Sequence, residues 1–449
     1  MSGESQRLYV NSYSLPADWQ IEQADIVSSP LSLTTLETDL EQSLRAPLAS
    51  LPLTELCGAT TSVVIACDQW PTDAVRQIML RKVLAQLEQA GVDPSRITVL
   101  VASAMRDPLT PRQRAAQRTT HMSEFGGAQM IQHDPDDKRI LDDLGNVEGV
   151  PLAIHYLAVE ADLLIALFAA PLEADLSYVG GCAAIAYGLA GQDTQRELHT
   201  TRFYDDQLEA QPADRPLRQY VMQEGARRAG LVFAVGALVD ASGCAIAVKA
   251  GEPTAVEYAL SQIALGAYGA TVEAPRYDVL LAQPEGSATG GGTLFDAGLA
   301  AIRQGLPSRS VLAPGGVLVL PIRHQDVQTE AVRTFYETLS WADSPEVLVQ
   351  RLRGNSLRDG EIQAYLIGHL AQRYRIILAG PQQRGPAFRG YFLYAPSMRD
   401  TAELAENFVS KYPRALVVRR ALTTLPVYSE MRFALDALRN GHATPGRWN

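Results

Sequence analysis

Three apolar runs constrain this chain more than any other feature: TSVVIAC at Thr61–Cys67, ITVLVAS at Ile97–Ser103 and ADLLIALFA at Ala161–Ala169. Each has the length of a buried strand, and helical patterns lie between them. That alternation is the signature of an α/β fold. Residues Asp73–Ala90 carry apolar side chains at Val75, Ile78, Met79, Val83, Leu84 and Leu87, the spacing of an amphipathic helix. Gly91 follows in the position of a C-terminal cap. A helix over Pro111–Thr119 and a strand near Gln129–Gln132 are expected next. Gly180-Gly181 opens an alanine-rich helix, and Leu217–Gly230 reads as helical. Leu231–Val239 and Cys244–Ala250 form a hairpin about Ser242-Gly243, followed by a helix over Val256–Gly266.

A second α/β unit begins after Gly269–Pro275. Its strands are Tyr277–Ala282, Gly316–Leu320 after a Pro314-Gly315 turn, Tyr374–Leu378, Gly390–Leu393 and Ala415–Val418. Its helices are Thr293–Gln304, Glu330–Leu339, Pro345–Leu352 and Ala402–Lys411. The chain has 449 residues, enough for two or three domains. The expectation is two Rossmann-like α/β domains joined by a hinge with an interdomain cleft. They are an N-terminal domain at 1–270 and a C-terminal domain at 271–449, whose last strand is a candidate to return to the first. Residues 1–40 and 431–449 read as peripheral arms. A cleft between such domains is a common place for a small-molecule site.

Composition narrows the function. Lys and Arg total 39 against 50 Asp and Glu, a formal charge of −11. An acidic surface repels a phosphate backbone, so no nucleic-acid partner is expected. Cys57, Cys67, Cys182 and Cys244 show no CxxC spacing and lie in or beside apolar runs, as buried free thiols of a reducing compartment do. No basic, apolar leader opens the chain, and the longest apolar run, around Ala161–Leu172, is interrupted by Asp162. A cytoplasmic protein with no membrane contact is the expectation.

Ligands of an open α/β sheet gather outside the carboxyl ends of its strands. Asp68 follows the first strand and could hold substrate, or act as a turn or N-cap aspartate. Arg106 follows the second and could clamp a carboxylate through two parallel hydrogen bonds, or pair with Asp107. After the third come Glu173 and Asp175, potential bases, and then Gly180-Gly181. There backbone N–H groups and a helix dipole could receive an anion, or the glycines could form a simple tight turn. Gly286–Thr293 (GSATGGGT) is a second glycine-rich strand-to-helix connection, without the lysine of a P-loop. His199 could bind a metal through neutral imidazole, or be a solvated or hydrogen-bonded side chain. The other histidines form no HxH or HExxH pair.

The order of these segments resembles the nickel-dependent lactate racemase family over roughly residues 40–430 of the sequence. It runs from the Asp68 loop through Ala102–Thr110, His133-Asp134-Pro135-Asp136-Asp137 and Ala161–Ile165 to Gly180-Gly181, Tyr277-Asp278-Val279 and Pro314-Gly315-Gly316. The resemblance implies two α/β domains around a cleft, and racemisation or epimerisation of a small 2-hydroxyacid. It also implies a nickel-pincer nucleotide, a pyridinium mononucleotide that takes a hydride from Cα and returns it. In such enzymes two histidines move the hydroxyl proton, a lysine tethers the cofactor and a further histidine ligates nickel.

Carried over residue by residue, the pattern changes. The catalytic histidines fall on Arg106 and near Glu173, with Asp175 as the neighbouring alternative. The tethering lysine falls on Ala183, and no lysine occurs between Lys138 and Lys249. The nickel ligand falls on His199. Substrate-contacting positions fall on Asp68 and around Asp296 and Leu299, where a glutamine and a lysine are missing. An alanine cannot form the covalent link, and a guanidinium stays protonated and makes a poor base. The resemblance therefore implies a lactate-racemase-like protein with a degenerate site. Arg106, Glu173 and Asp175 would be catalytic, Asp68 and Asp296 would contact substrate, Gly180 and Gly181 would take the cofactor phosphate, and His199 would hold metal. A nickel-pincer nucleotide would be noncovalent. The alternative is a catalytically inactive homologue that binds a nucleotide, an anion or a protein partner in the cleft.

Overall fold

The computed structural model describes residues 7–10, 13–16, 18–26, 29–69, 71–103, 128–170, 180–209, 216–240, 242–274, 276–284, 292–306, 310–322, 329–380, 391–410 and 412–428. Two six-stranded sheets organise them. The first runs, in spatial order, Ala245–Gly251, Leu231–Val239, Leu163–Ala170, Val63–Cys67, Ile97–Val101 and Gln129–Gln132. All its neighbours are parallel except the Leu231–Val239/Ala245–Gly251 hairpin. The second runs Leu393–Ala395, Arg375–Ala379, Leu312–Pro321, Tyr277–Ala282, Arg414–Val418 and Gln20–Ala24, all parallel. Every residue of Val63–Cys67 and Leu163–Ala170 is buried. Helices cover both faces of such strands, so they read as unbroken apolar runs rather than alternating ones.

Local signals place the first crossover helix. The Asp73 side chain accepts the Arg76 N–H at the N-terminus of Ala74–Gln89, as an N-cap does. Gly91 follows its end at φ 81°. Val75, Ile78, Met79, Val83 and Leu87 face the core between this helix and the sheet.

Several expectations are corrected. Residues 1–40 are not a peripheral arm. Gln20–Ala24 forms the edge strand of the second sheet beside Arg414–Val418, and Leu36 and Leu40 of helix Leu33–Arg45 are fully buried against the first. Pro314-Gly315 is no turn ahead of a strand: it lies inside Leu312–Pro321, where the pairing with Tyr277–Ala282 slips register. The helix expected at Ala402–Lys411 runs from Met398 to Ala405, because Ser397 caps it. Cys244 is exposed and Cys57 only half-buried, while Cys67 and Cys182 are buried. The sequence reading missed helix Glu361–Arg373 and the antiparallel hairpin Leu141–Val147/Val150–His155. Helix Pro111–Thr119 lies outside the described residues. Among the described residues no helix is long and apolar enough to cross a membrane.

Candidate active site

Because the strands of the first sheet are parallel, their chain exits emerge at one edge. Asp68 leaves Val63–Cys67, Ala102 and Ser103 leave Ile97–Val101, and His133 leaves Gln129–Gln132. Asp68 is held there by Arg76, one turn into the following helix. Arg76 Nε donates to Oδ1 at 2.7 Å and Nη2 to Oδ2 at 2.6 Å. The Ala169 N–H also donates to Oδ2, at 3.1 Å. Arg76 Nη1 reaches Asp73 at 2.9 Å, and Nη2 reaches the Ala169 carbonyl. Burial pushes the Asp68 carboxyl up, and the Arg76 guanidinium pulls against it. Burial also opposes the charge on Arg76, but Asp68 and Asp73 outweigh it and raise the guanidinium further. Asp68 thus joins two strands and a helix below the rim. The N-cap role belongs to Asp73. Arg76 escaped the sequence reading, which searched the residues immediately after Asp68; its signal was an arginine one turn into a helix capped by a second aspartate.

Gly180 and Gly181 start helix Gly181–Ala186, as expected. A carboxyl group of the protein already sits at this helix start. Glu257, 6% exposed on helix Pro253–Tyr268, accepts the Cys182 N–H through Oε1 at 2.9 Å and a Gln223 amide N–H through Oε2 at 3.1 Å. A Cβ at position 180 would run into the Glu257 carboxyl group, and one at 181 would lie 2.9 Å from Ala166 Cβ. The glycines are therefore required for close packing. Burial raises the Glu257 carboxyl; the Cys182 and Gln223 hydrogen bonds oppose it. A cofactor phosphate would have to displace this side chain.

His199 follows the short helix Gln192–Glu197. Its Nε2 lies 2.8 Å from the Tyr187 hydroxyl and its Nδ1 2.7 Å from the Tyr204 hydroxyl. Its carbonyl accepts the Leu357 N–H at 2.9 Å, and the Thr201 N–H donates to the Asn355 carbonyl at 3.1 Å. These bonds fasten His199 to the loop ahead of helix Glu361–Arg373. Tyr204 itself packs in the core of the second sheet. His199 thus stands where elements of both sheets meet.

His133 and His155, distant in sequence, meet with ring centroids 5.5 Å apart. The His133 Nε2 must donate to the Ala190 carbonyl, 2.9 Å away, and His155 Nδ1 accepts the Leu157 N–H at 3.2 Å. Burial, then the neighbouring His133, holds His155 down to about 4; burial lowers His133 too. The unfolded His155 takes up a proton near 6.5, the ordinary histidine value, which the folded ring refuses until about 4. The unfolded state binds more protons across that window, so this pair contributes stability that is lost as pH falls through it. Unfolding free energies of the wild type and His155→Asn between pH 7 and pH 4 should give a shallower fall for the variant. Parallel curves would remove the pair from the pH response.

Asp296 lies at the start of helix Leu294–Gly305, where it shares a capping box with Thr293. Its Oδ2 accepts the Thr293 hydroxyl at 2.9 Å, and its N–H donates to the Thr293 hydroxyl oxygen at 3.1 Å. Arg106, Glu173, Asp175 and the loop around Gly286–Gly291 lie outside the described residues. Of the expected site residues the structure therefore locates Asp68, Gly180, Gly181, His199 and Asp296. Asp68, Gly180 and Gly181 cluster on the first sheet, with His199 at its junction with the second, whereas Asp296 belongs to the second.

Residues 12–211 match the family model of the lactate racemase N-terminal domain. A lactate racemase of Thermoanaerobacterium thermosaccharolyticum is 21% identical over 393 residues, spanning 85% of this chain and 88% of the relative. The chain is thus similar to lactate racemase over most of its length, with the family's N-terminal domain matched at residues 12–211. The structure of the lactate racemase apoprotein from the same organism superposes with a TM-score of 0.68 at 17% identity, covering 92% of this chain and 96% of that one. A crystal structure of a protein from Thermotoga maritima matches with a TM-score of 0.53 at 11% identity, over 90% of this chain and 100% of that one. The lactate racemase family uses a nickel-containing cofactor. The described residues do not fit a tethered form of it. Ala183 offers no amine, both His199 ring nitrogens are engaged by tyrosine hydroxyls, and Glu257 occupies the helix start. Among the described residues no three His, Cys, Asp or Glu side chains form a metal-holding group.

Proposed function

We propose that this lactate-racemase-like protein is an isomerase that racemises or epimerises a small 2-hydroxyacid at C2 without a covalently tethered cofactor. The observation that carries the reading is the likeness to a lactate racemase along 85% of the chain, too long a stretch to be confined to one of the two sheets. Arg106, on the segment leaving Ile97–Val101, grips the substrate carboxylate through two parallel hydrogen bonds. Glu173 or Asp175, on the segment leaving Leu163–Ala170, takes and returns the hydroxyl proton, while a noncovalently held nickel-pincer nucleotide would supply the acceptor for the C2 hydride and its return. Asp68 supports this edge through Arg76 instead of meeting substrate, and Asp296 keeps its helix capped. Any nickel-pincer nucleotide would be held noncovalently. The partner is the small hydroxyacid or a related anion; a nucleic acid is disfavoured by the −11 charge.

One observation favours a second reading. Ala183 together with the engaged His199 would also suit a catalytically inactive homologue that keeps the site to bind a nucleotide, an anion or a protein partner. The test is protein made in a host that supplies the nickel cofactor, followed by intact mass, metal analysis and chiral assay on D- and L-2-hydroxyacids. The expected result is interconversion of at least one hydroxyacid by protein whose mass is that of the bare polypeptide. No interconversion across the panel, with cofactor and nickel both absent, would establish the inactive reading instead.

A further inference from the structure

Two side-chain donors stand together at the carboxyl edge of the second sheet. Gln283 leaves strand Tyr277–Ala282 and Arg419 leaves its neighbour Arg414–Val418, the two being paired at Ala282 and Val418. The ladder runs one step further. The Gln283 N–H donates to the Val418 carbonyl at 2.9 Å, and the Arg419 N–H to the Ala24 carbonyl at 2.8 Å. Side chains alternate along a strand, so both fall on the face that carries Leu281 and Val417. Gln283 is 5% exposed and Arg419 half-buried. Gln283 Nε2 and Arg419 Nε are both buried, and among the described residues neither meets an acceptor. Asp25, which leaves the next strand, is taken by Arg420. Buried polar groups are nearly always hydrogen-bonded, and a guanidinium N–H can only donate.

The position within the sheet points the same way. Strands Leu312–Pro321, Arg375–Ala379 and Leu393–Ala395 follow one another on one side of Tyr277–Ala282, and Arg414–Val418 lies on the other. The strand order therefore reverses between the two strands that Gln283 and Arg419 leave. Ligands of open parallel sheets bind in the crevice outside the carboxyl ends at such a reversal. The turn that carries Arg419 is also fixed in advance. The Ala421 N–H returns to the Gln283 carbonyl at 2.7 Å. Gln304, 3% exposed on helix Leu294–Gly305, donates to the Ala421 and Thr424 carbonyls at 2.7 and 2.9 Å. Arg420, at φ 48°, donates to the Ile26 carbonyl at 2.6 Å as well as pairing with Asp25. One arginine thus ties the turn to the edge strand, and the other has no such duty.

We infer that Arg419 and Gln283 form a seat for a small oxyanion, a carboxylate or a phosphate, at the strand-order reversal of the second sheet. Arg419 grips two oxygens through Nε–H and a terminal N–H, and the Gln283 amide N–H donates to one of them. The side of a guanidinium matches an oxyanion in this way. Only Nε of the three guanidinium nitrogens is closed off, so the ligand meets the terminal nitrogens first and reaches Nε as the side chain turns. A water molecule could accept these bonds but would leave the charge unbalanced. The seat depends neither on the isomerase reading nor on Arg106, which follows a strand of the first sheet.

Labelling the arginine side chains with 15N reads the site directly, the Arg419 Nε–H signal being assigned by its loss in Arg419→Met. Inorganic phosphate and sodium acetate, titrated separately, should move that signal along a saturating curve with at least one of them. The anion that saturates at the lower concentration tells phosphate from carboxylate. Gln283→Leu should bind the same anion about three- to tenfold more weakly, the effect of one hydrogen bond. In buffer free of both anions, Arg419→Met keeps the stem, drops the charge and should unfold at the same urea concentration as the wild type or a higher one. Only the wild type should be stabilised by adding the anion. An Arg419 signal that neither anion moves would overturn the seat. So would one that moves linearly and in step with the exposed Arg399, which is paired with Glu403: that result means an adventitious ion only. Undiminished affinity in Gln283→Leu would overturn the two-donor site. Destabilisation of Arg419→Met in the anion-free buffer would overturn it too, by showing that the guanidinium already has a structural partner.

Discussion

Arg76→Ala should unfold with about 3–5 kcal/mol less free energy than the wild type, the range for removing one partner of a buried ion pair. The cost arises from what remains. Asp68 would keep the Ala169 N–H but lose both guanidinium bonds, and Asp73 would lose its side-chain partner. The Ala169 carbonyl would lose a donor. Burial already disfavours the charged form of Asp68, so without Arg76 its ionisation should move further upward. Urea titrations at neutral pH measure the loss. Asp68→Asn/Arg76→Ala, which removes the stranded carboxylate as well, should recover part of it, because contacting residues are not additive. A single-variant loss below about 1 kcal/mol, the range of exposed pairs, would show that solvent reaches this ion pair freely. The local consequence reaches the proposed site, because the same guanidinium ties the exits of Val63–Cys67 and Leu163–Ala170 together.

Gly180→Ala should cost about 1–3 kcal/mol from overpacking alone. It should cost a further 1–3 kcal/mol or so if Glu257 is driven off the Cys182 N–H and that donor is left buried without a partner. The added methyl group meets the Glu257 carboxyl group, which could move aside only by giving up its bonds to the Cys182 N–H and the Gln223 amide. The decisive comparison is a double-mutant cycle with Glu257→Ala, read by chemical denaturation. The methyl group should be far better tolerated once Glu257 is shortened, giving a coupling energy of at least about 1 kcal/mol. Strict additivity would mean that Gly180 is needed for another reason. The cycle also bears on cofactor binding: a carboxyl group so coupled to the helix start already occupies the place a cofactor phosphate would take.

The α/β character and most strand positions were legible because they depend on local pattern. Val63–Cys67 and Leu163–Ala170 are apolar throughout because both faces are covered, and any window of a few residues shows it. Asp73 and Gly91 bracket their helix through bonds and dihedrals that span only a few positions. Helix Glu361–Arg373 was not legible by the same logic. Nearly every side of it is buried, including Glu361, Ala364, Tyr365, Leu366, Ile367 and Gly368, so it lacks the polar face that makes a helix visible.

The site divides along the same line. The order of loops along the chain pointed to the lactate racemase family and singled out Gly180-Gly181 and His199. It could not say what those residues touch. His133 and His155 looked like scattered histidines and are neighbours in space. Gly180-Gly181 looked like a seat for a foreign anion and is a seat for Glu257, which is brought to Cys182 across 75 positions of sequence.

By itself, then, the sequence determined most of the segments that become strands and helices, and that no lysine near position 183 can anchor a cofactor. Hydrophobic period and covalent chemistry are properties of the residues alone. Only the tertiary structure decided that Arg76 closes on Asp68, that Gln20–Ala24 completes a sheet with Arg414–Val418, and that two tyrosines take up both nitrogens of His199. Those choices belong to the packing: hydrogen bonds and ion pairs act over a few ångströms, and which groups come that close is set by how the sheets and helices are assembled.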